Sequence, residues 1–180
     1  MKVISDLLIG EIMEFFDILE KRYSMRGFED KEVEKEKLDK ILEAARLAPT
    51  GVNFQPFKVV VIDVKKNKNA LKRLYPADWF VEAPIVLAVV ASREKSWTRN
   101  FDGWNIAEID ATIVMTHMIL AATDQGLDTC FIGAFNPDEA VKFLDLDDEW
   151  IPVLFTPLGY GNAGPRDTPR KSLDELVIYK

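Results

Sequence analysis

The chain has 180 residues, 48% of them hydrophobic and 29% charged, which is the composition of an ordinary globular domain with a core of its own. Its formal net charge of −7 argues against general binding to nucleic acid, because a phosphate backbone requires a basic surface. The only cysteine, Cys130, excludes an internal disulfide and a cysteine-based metal cage, so we expect a reducing, cytoplasmic compartment and no metal site.

The first elements are predicted from hydrophobic periodicity. Residues 1–12 carry acidic side chains among apolar ones and no small-residue cleavage site, so we interpret them as an N-terminal extension of a single domain over residues 13–180. An apolar stripe predicts a first helix from Phe15 that ends near Arg22. Residues 33–47 form the clearest amphipathic helix.

The middle of the chain alternates buried strands with helices. Residues 58–64 and 84–91 are apolar and β-branched runs that predict buried strands, with a short helix at residues 67–74 between them and a polar loop over residues 92–103. Residues 106–125 are apolar on nearly every side, which predicts a helix buried in the domain centre or in a subunit interface, with Gly126 as its C-cap.

The last elements are two strands, a helix and a tail. Residues 129–135 and 151–158 predict the third and fourth strands, and residues 137–144 predict a helix that begins with proline. Residues 159–180 are rich in glycine and proline and then turn apolar, which suggests a tail that docks on another surface, such as a second subunit.

A glycine pattern after the fourth strand is a misleading signal. Residues 159–164 match G-x-G-x-x-G, but a dinucleotide fingerprint requires a helix to begin there, and Pro165 and Pro169 follow instead. We therefore predict a glycine-rich turn.

Two basic clusters and one polar turn are candidates for a phosphate site. Residues 21–26 hold two arginines and a serine, which suit phosphate oxygens, although cations also favour a helix C-terminus for purely structural reasons. Residues 48–53 place Thr50 and Asn53 on a rigid turn between a core helix and a core strand, where polar groups need partners. The second cluster comprises Arg166, Arg170 and Lys171, and could equally be a solvated tail.

No side-chain pair indicates acid–base catalysis. His117, the only histidine, lies within an apolar helix and is assigned no role, and Cys130 is expected to be inert packing. Glu108 and Asp110 lie on opposite sides of their helix and cannot act together.

Five segments, in the same order and at similar spacing, resemble the FMN-dependent nitroreductase family. They are Lys-Arg-Tyr-Ser-Met-Arg (21–26), Ala-Pro-Thr-Gly-Val-Asn-Phe-Gln-Pro-Phe (48–57), Gly-Leu-Asp-Thr-Cys-Phe-Ile-Gly-Ala-Phe (126–135), Leu-Gly-Tyr (158–160) and Pro-Arg-Lys-Ser-Leu (169–173). The resemblance implies an α+β fold: a two-layer or three-layer α-β sandwich with a central mixed, mostly antiparallel sheet. It also implies a homodimer that exchanges C-terminal tails and binds FMN at its interface.

The same resemblance implies roles for individual residues. Arg22 and Ser24 would hold the phosphate and ribityl chain, with Tyr23 beside them, and Arg26 would tune the flavin N1/O2 edge. A second group would come from the partner subunit: Pro49, Thr50, Gly51 and Asn53. A third would lie along the flavin ring, with the Gly133 backbone near N5: Phe131, Ile132, Gly133 and Ala134. Arg170, aided by Lys171, would close on the phosphate.

The implied activity is NAD(P)H-dependent reduction of nitroaromatic, quinone or similar small acceptors by ping-pong hydride transfer. Reductive dehalogenation or flavin breakdown on the same scaffold, or a flavin-binding redox sensor without turnover, remain open. The chain departs from the family over residues 76–80, where some members place asparagine and lysine near the flavin, and in its short region after the second strand.

Overall fold

The computed structural model describes residues 14–180, so the predicted extension at residues 1–12 lies outside the described part of the chain. Six helices and four strands follow one another along it. In chain order they are α1 (Phe15–Lys21), α2 (Lys35–Leu47), β1 (Phe57–Asp63), α3 (Val64–Leu74), β2 (Ile85–Ser92), α4 (Ala107–Asp124), β3 (Asp128–Thr129), α5 (Pro137–Leu144), β4 (Trp150–Gly159) and α6 (Leu173–Leu176).

The sheet has the order β1-β2-β4-β3, and each neighbouring pair of these strands is antiparallel. A parallel bridge between Ser24 and Thr129 supplies the mixed character that the family resemblance implied. β2 is buried on both sides because Leu87 and Val89 face the core beneath α2 and α4, whereas Val86 and Ala88 face the core beneath α3 and α5. The α+β fold is therefore confirmed, in its three-layer form.

The helix α4 is the longest of the described helices and is largely buried. Its 18 residues rise about 27 Å at the usual 1.5 Å per residue. Gly126 adopts a φ of +69°, and the Leu127 N–H donates to the Ala122 carbonyl, so the predicted C-cap is confirmed. α4 thus ends at a tight turn that leads straight into β3.

The third strand is much shorter than predicted. We expected residues 129–135, but β3 ends at Thr129, and beyond it only Ile132 pairs with β4, through Phe155. The register would place Cys130 opposite Pro157, which has no N–H to donate. The Cys130 N–H donates instead to the Thr156 hydroxyl. A proline in the partner strand therefore interrupts the ladder and leaves the 130–135 segment irregular.

Within the described residues no helix follows β4 directly, as expected, but the predicted turn at residues 159–164 is not seen: Gly161 forms an antiparallel bridge with Phe28, and the neighbouring backbone groups bond to residues 27 and 29. The chain then runs exposed to the short helix α6, which a capping box formed by Ser172 and Glu175 begins. Within residues 14–180, no helix is long and apolar enough to cross a membrane.

Candidate functional site

The 22–26 segment leaves α1 in an extended conformation and runs beside β3. The Met25 N–H donates to the Thr129 carbonyl at 2.9 Å, and the Met25 side chain is buried. The Tyr23 hydroxyl donates to the Ala163 carbonyl at 2.7 Å. Because side chains alternate along an extended chain, anchoring residues 23 and 25 on one side places residues 22, 24 and 26 on the other. The spacing Arg-x-Ser-x-Arg is what this arrangement requires.

The charged groups of this segment lie near enough to the buried thiol of Cys130 to act on its ionisation. Burial raises the pKa of that thiol, and the nearby charges of Arg26, Arg22 and Arg166, together with the Ser24 side chain, oppose the rise. Three guanidinium groups from two distant parts of the chain therefore share one neighbourhood. A dense positive field around a hydroxyl donor suits a phosphate-bearing ligand.

Arg166 is a member of this cluster that the family resemblance did not single out. The resemblance pointed to Arg170 and Lys171, both of which are exposed, and Arg170 Nη1 donates to the Thr168 carbonyl at 3.1 Å. No hydrogen bond or ion pair within residues 14–180 joins Arg170 or Lys171 to the 22–26 segment. The sequence signal for Arg166 was its place in the second basic cluster.

The residues of the 131–134 segment differ in how exposed they are to a ligand. Phe131 is 43% exposed, and Gly133 and Ala134 are exposed. Ile132 is 4% exposed, and both its N–H and its carbonyl are bonded to Phe155. Ile132 therefore anchors the segment to β4 and has no side-chain surface for a ligand, whereas its neighbours remain accessible.

The polar turn that follows α2 has a strained backbone. Val52, Asn53 and Gln55 have φ values of 47°, 60° and 53°, in the left-handed region that non-glycine residues rarely adopt. The Thr50 hydroxyl accepts from the Gln55 N–H at 3.0 Å and closes the turn, while Pro49 and Asn53 are exposed. Strain of this kind is typical of segments that contact ligands.

The turn and the arginine cluster lie at opposite ends of α4. The Gly51 N–H donates to Asp110 in the first turn of the helix, whereas the 22–26 segment bonds to Thr129, which follows the end of the helix. Asp110 and Asp124 are separated by about 20 Å along the helix axis. One chain alone therefore does not bring the two halves of the predicted site together.

Trp79 is a neighbour of Arg26 that the sequence did not identify. The Arg26 guanidinium lies 6.0 Å from the centroid of the Trp79 ring, at the outer limit of a cation–π contact. Trp79 in turn packs edge-on against Tyr75, with ring centroids 5.7 Å apart. Residues 76–80, where the chain departs from the family, therefore supply an aromatic support for Arg26.

In the part of the chain that the structure describes, the remaining polar side chains form no catalytic pair. Glu108 is paired with Arg93, which lowers the pKa of its carboxyl, whereas Asp110 is buried and bonded to the turn. His117 Nδ1 lies 2.9 Å from the Ile113 carbonyl of its own helix. Among the described residues, no group of three or more histidine, cysteine or acidic side chains could hold a metal ion.

Comparison with known proteins gives the family. A sequence model described as the nitroreductase family matches residues 19–79 and 66–160. The crystal structure of a nitroreductase family protein from Clostridium difficile 630 shares 38% sequence identity, with a TM-score of 0.86 over 93% of this chain and 99% of that one. An FMN-dependent nitroreductase from Clostridium difficile R20291 is 26% identical, with a TM-score of 0.76 over 91% of this chain and 96% of that one. The FMN reductase [NAD(P)H] of Bacillus subtilis (strain 168) is 27% identical over 82% of this chain and 66% of its own length. The chain belongs to the nitroreductase family.

Proposed function

We propose that this chain is an FMN-dependent NAD(P)H oxidoreductase that reduces small acceptors such as nitroaromatics and quinones. The observation that carries the proposal is the convergence of Arg22, Arg26 and Arg166, with Ser24, on one neighbourhood beside the end of β3. The names of two relatives, an FMN-dependent nitroreductase and an FMN reductase [NAD(P)H], support the choice of cofactor and electron donor.

The residues present suit FMN. Arginine and serine donors would hold its phosphate and ribityl chain, as expected of Arg22 and Ser24, with Arg166 added to them. The structure gives the exposed Gly133 N–H no partner within residues 14–180, which leaves it free to donate to the edge of a flavin ring. When bound, FMN supplies the redox chemistry, accepting a hydride from NAD(P)H and passing electrons to the acceptor.

The protein's own contribution is positioning and electrostatics. Arg26 is exposed and accessible to a ligand, and its guanidinium lies 6.0 Å from the Trp79 ring centroid. A positive charge stabilises negative charge that develops nearby, so Arg26 would favour the reduced form of bound FMN if the flavin N1/O2 edge lay beside it. No side-chain acid is required, which accords with the absence of a catalytic pair among the described residues.

We propose further that the active form is a homodimer. A two-fold axis that sets α4 of one copy antiparallel to α4 of the other would bring the 50–55 turn of each chain beside the arginine cluster of its partner. α4 suits this arrangement because apolar side chains such as Ile109, Ile113 and Leu120 remain partly exposed on its outer face. Each flavin site would then be completed by both copies.

The exposed C-terminal tail fits the same dimer. Its apolar side chains are unburied in the single chain, most of all Leu173, Ile178 and Tyr179. β1 is an edge strand with Val61 exposed, and a cavity of about 300 Å³ adjoins it, lined by Glu32, Val33, Val61, Asp63, Lys65, Pro84 and Ile85. We propose that the tail of a second copy covers this edge.

We also propose that residues 13–180 act as one FMN-binding domain. The lone cysteine suits a reducing compartment, and we propose that this compartment is the cytoplasm.

The test is a visible absorption spectrum of the purified protein, followed by FMN titration and NAD(P)H oxidation with a panel of nitroaromatic and quinone acceptors. We expect a yellow protein whose NAD(P)H oxidation depends on the acceptor. A colourless protein that takes up no added FMN would refute the proposal. Bound flavin with NAD(P)H oxidation at background would instead favour a sensor without turnover.

Arg26→Ala tests the electrostatic role separately. We expect this variant to retain flavin but to be reduced more slowly by NAD(P)H in stopped-flow measurements, because the fixed positive charge is lost. Unchanged reduction kinetics would reject that role for Arg26.

A further inference from the structure

Asp110 is a buried acidic residue whose side chain accepts one hydrogen bond, from the strained turn. It lies in the first turn of α4 and is 1% exposed. Its Oδ1 accepts from the Gly51 N–H at 2.9 Å, and its Oδ2 has no hydrogen-bond partner among residues 14–180. Burying an acidic group with one oxygen unsatisfied costs stability, so its presence requires a reason.

The turn that Asp110 holds would relax without external restraint. Three of its residues, Val52, Asn53 and Gln55, have positive φ values, which asparagine tolerates but which are unfavourable for the β-branched Val52 and for Gln55. Such conformations persist only when their surroundings over-determine them. Hydrogen bonds within the turn hold part of this conformation, and the contacts with α4 tie it to the rest of the domain.

Those contacts are few and concentrated at Gly51. A Cβ at that position would lie 2.5 Å from Ile106 Cδ1 and 3.2 Å from Trp97 Cβ, so the backbone sits directly against the start of α4. The hydrogen bond to Asp110 is the polar contact at this place, and the Thr50–Gln55 bond closes the other side. Asp110 thus fixes the point from which Thr50 and Asn53 project.

We infer that Asp110 is a positioning residue for the cofactor site, holding the 50–55 turn in the conformation that presents Thr50 and Asn53 to the flavin bound beside the partner's arginine cluster. This inference rests on the proposed function, since it assigns that turn to FMN. What Asp110 supplies is an acceptor at a fixed place. An uncharged acceptor of the same shape should therefore replace it.

The experiment compares three variants of the full chain with the wild type. Asp110→Ala removes the acceptor, Asp110→Asn keeps an oxygen at the same place, and Val114→Ala removes buried volume one turn further along α4 without touching the turn. Asp110→Leu fills the space without an acceptor and replaces Asp110→Ala if that variant does not fold. FMN affinity is measured by fluorescence titration, and exchange of the amides over residues 49–55 by hydrogen–deuterium mass spectrometry on the FMN-free protein.

We expect Asp110→Ala to weaken FMN binding by roughly tenfold or more, because losing a hydrogen bond to a charged acceptor typically costs a factor of this size. Exchange at the 49–55 amides should rise in the same variant. Asp110→Asn should restore both readouts to near wild-type values. Val114→Ala should lower the melting temperature while leaving FMN affinity and turn exchange unchanged.

Three results would overturn the inference while the wild type binds FMN: unchanged FMN affinity in Asp110→Ala, an equal loss in Val114→Ala, or failure of Asp110→Asn to restore binding. Wild-type protein that binds no FMN would overturn the proposed function and this inference together. The wild-type titration therefore tells the two failures apart.

Discussion

The apolar tail allows the proposed dimer to be tested by its energetics. Leu173, Leu176 and Ile178 are 74%, 62% and 84% exposed in the single chain, so covering them amounts to burying about two aliphatic side chains per tail. Full burial stabilises each such side chain by about 1.5–3 kcal/mol, and ordering its rotamers costs about 0.5–1 kcal/mol. A net gain of roughly 2 kcal/mol per tail, counted twice by symmetry, gives about 4 kcal/mol per dimer.

The perturbation is the triple variant Leu173→Ala, Leu176→Ala and Ile178→Ala. We expect the Kd of the dimer to rise by about a thousandfold, since each 1.4 kcal/mol is a factor of ten. Sedimentation velocity over a wide range of concentrations measures this shift, and Asp174→Ala, an exposed polar change in the same short helix, is the matched control. FMN retention should fall together with the dimer. A triple variant that associates as tightly as wild type would refute the assignment of the tail to the partner.

Three further predictions concern the phosphate cluster, the core and one buried acid. Arg22→Ala should weaken FMN retention by about 10- to 150-fold, because a charge-assisted hydrogen bond is lost. Lys21→Ala, at an exposed position beside it, should not weaken retention. Equal flavin content of the Arg22→Ala variant and the wild type after dialysis would argue against the role of Arg22. Phe155→Ala should lower the free energy of unfolding, measured by urea denaturation, by about 3–5 kcal/mol, because Phe155 is 0% exposed. The control is Phe101→Ala: Phe101 is 98% exposed, and its substitution should change the free energy of unfolding by less than about 0.5 kcal/mol. Burial raises the pKa of Asp128 above its unfolded value, opposed only by the Gly161 N–H, so ionisation of this group destabilises the fold. Wild type should therefore lose stability relative to Asp128→Asn as pH rises through that raised pKa, and a difference between the two that does not change with pH would contradict this.

Most helices and strands were predictable because their signals are local. The proline that begins α5 and the glycine that follows α4 mark helix ends by their own backbone preferences, and both ends were correctly placed. The prediction of a strand over residues 129–135 was wrong, because the end of β3 at Thr129 depends on Pro157, a residue of the neighbouring strand β4. The sequence cannot show which residue will lie opposite another before the register is known.

The candidate site, like the secondary structure, was predictable from sequence only where the signal is local. Residues 22–26 and the 48–57 turn were recognisable from sequence because their residue types and spacing are themselves the signal. The sequence offered Arg166 only as one of three residues in a candidate basic cluster, and it gave Asp110 no place in the site. The neighbours of both lie more than 30 positions away: Arg22 and Cys130 for Arg166, and Gly51 for Asp110.

The sequence by itself determined the alternation of elements, the apolar character of α4 and the family to which the motifs point, because these follow from composition, periodicity and short-range spacing. Only the tertiary structure decided that the charges of three arginines act on one buried thiol, that the polar turn is hydrogen-bonded to a buried carboxylate, and that these two places lie at opposite ends of one helix. Those relations depend on how distant segments pack, and no local pattern of residues encodes a distance between them.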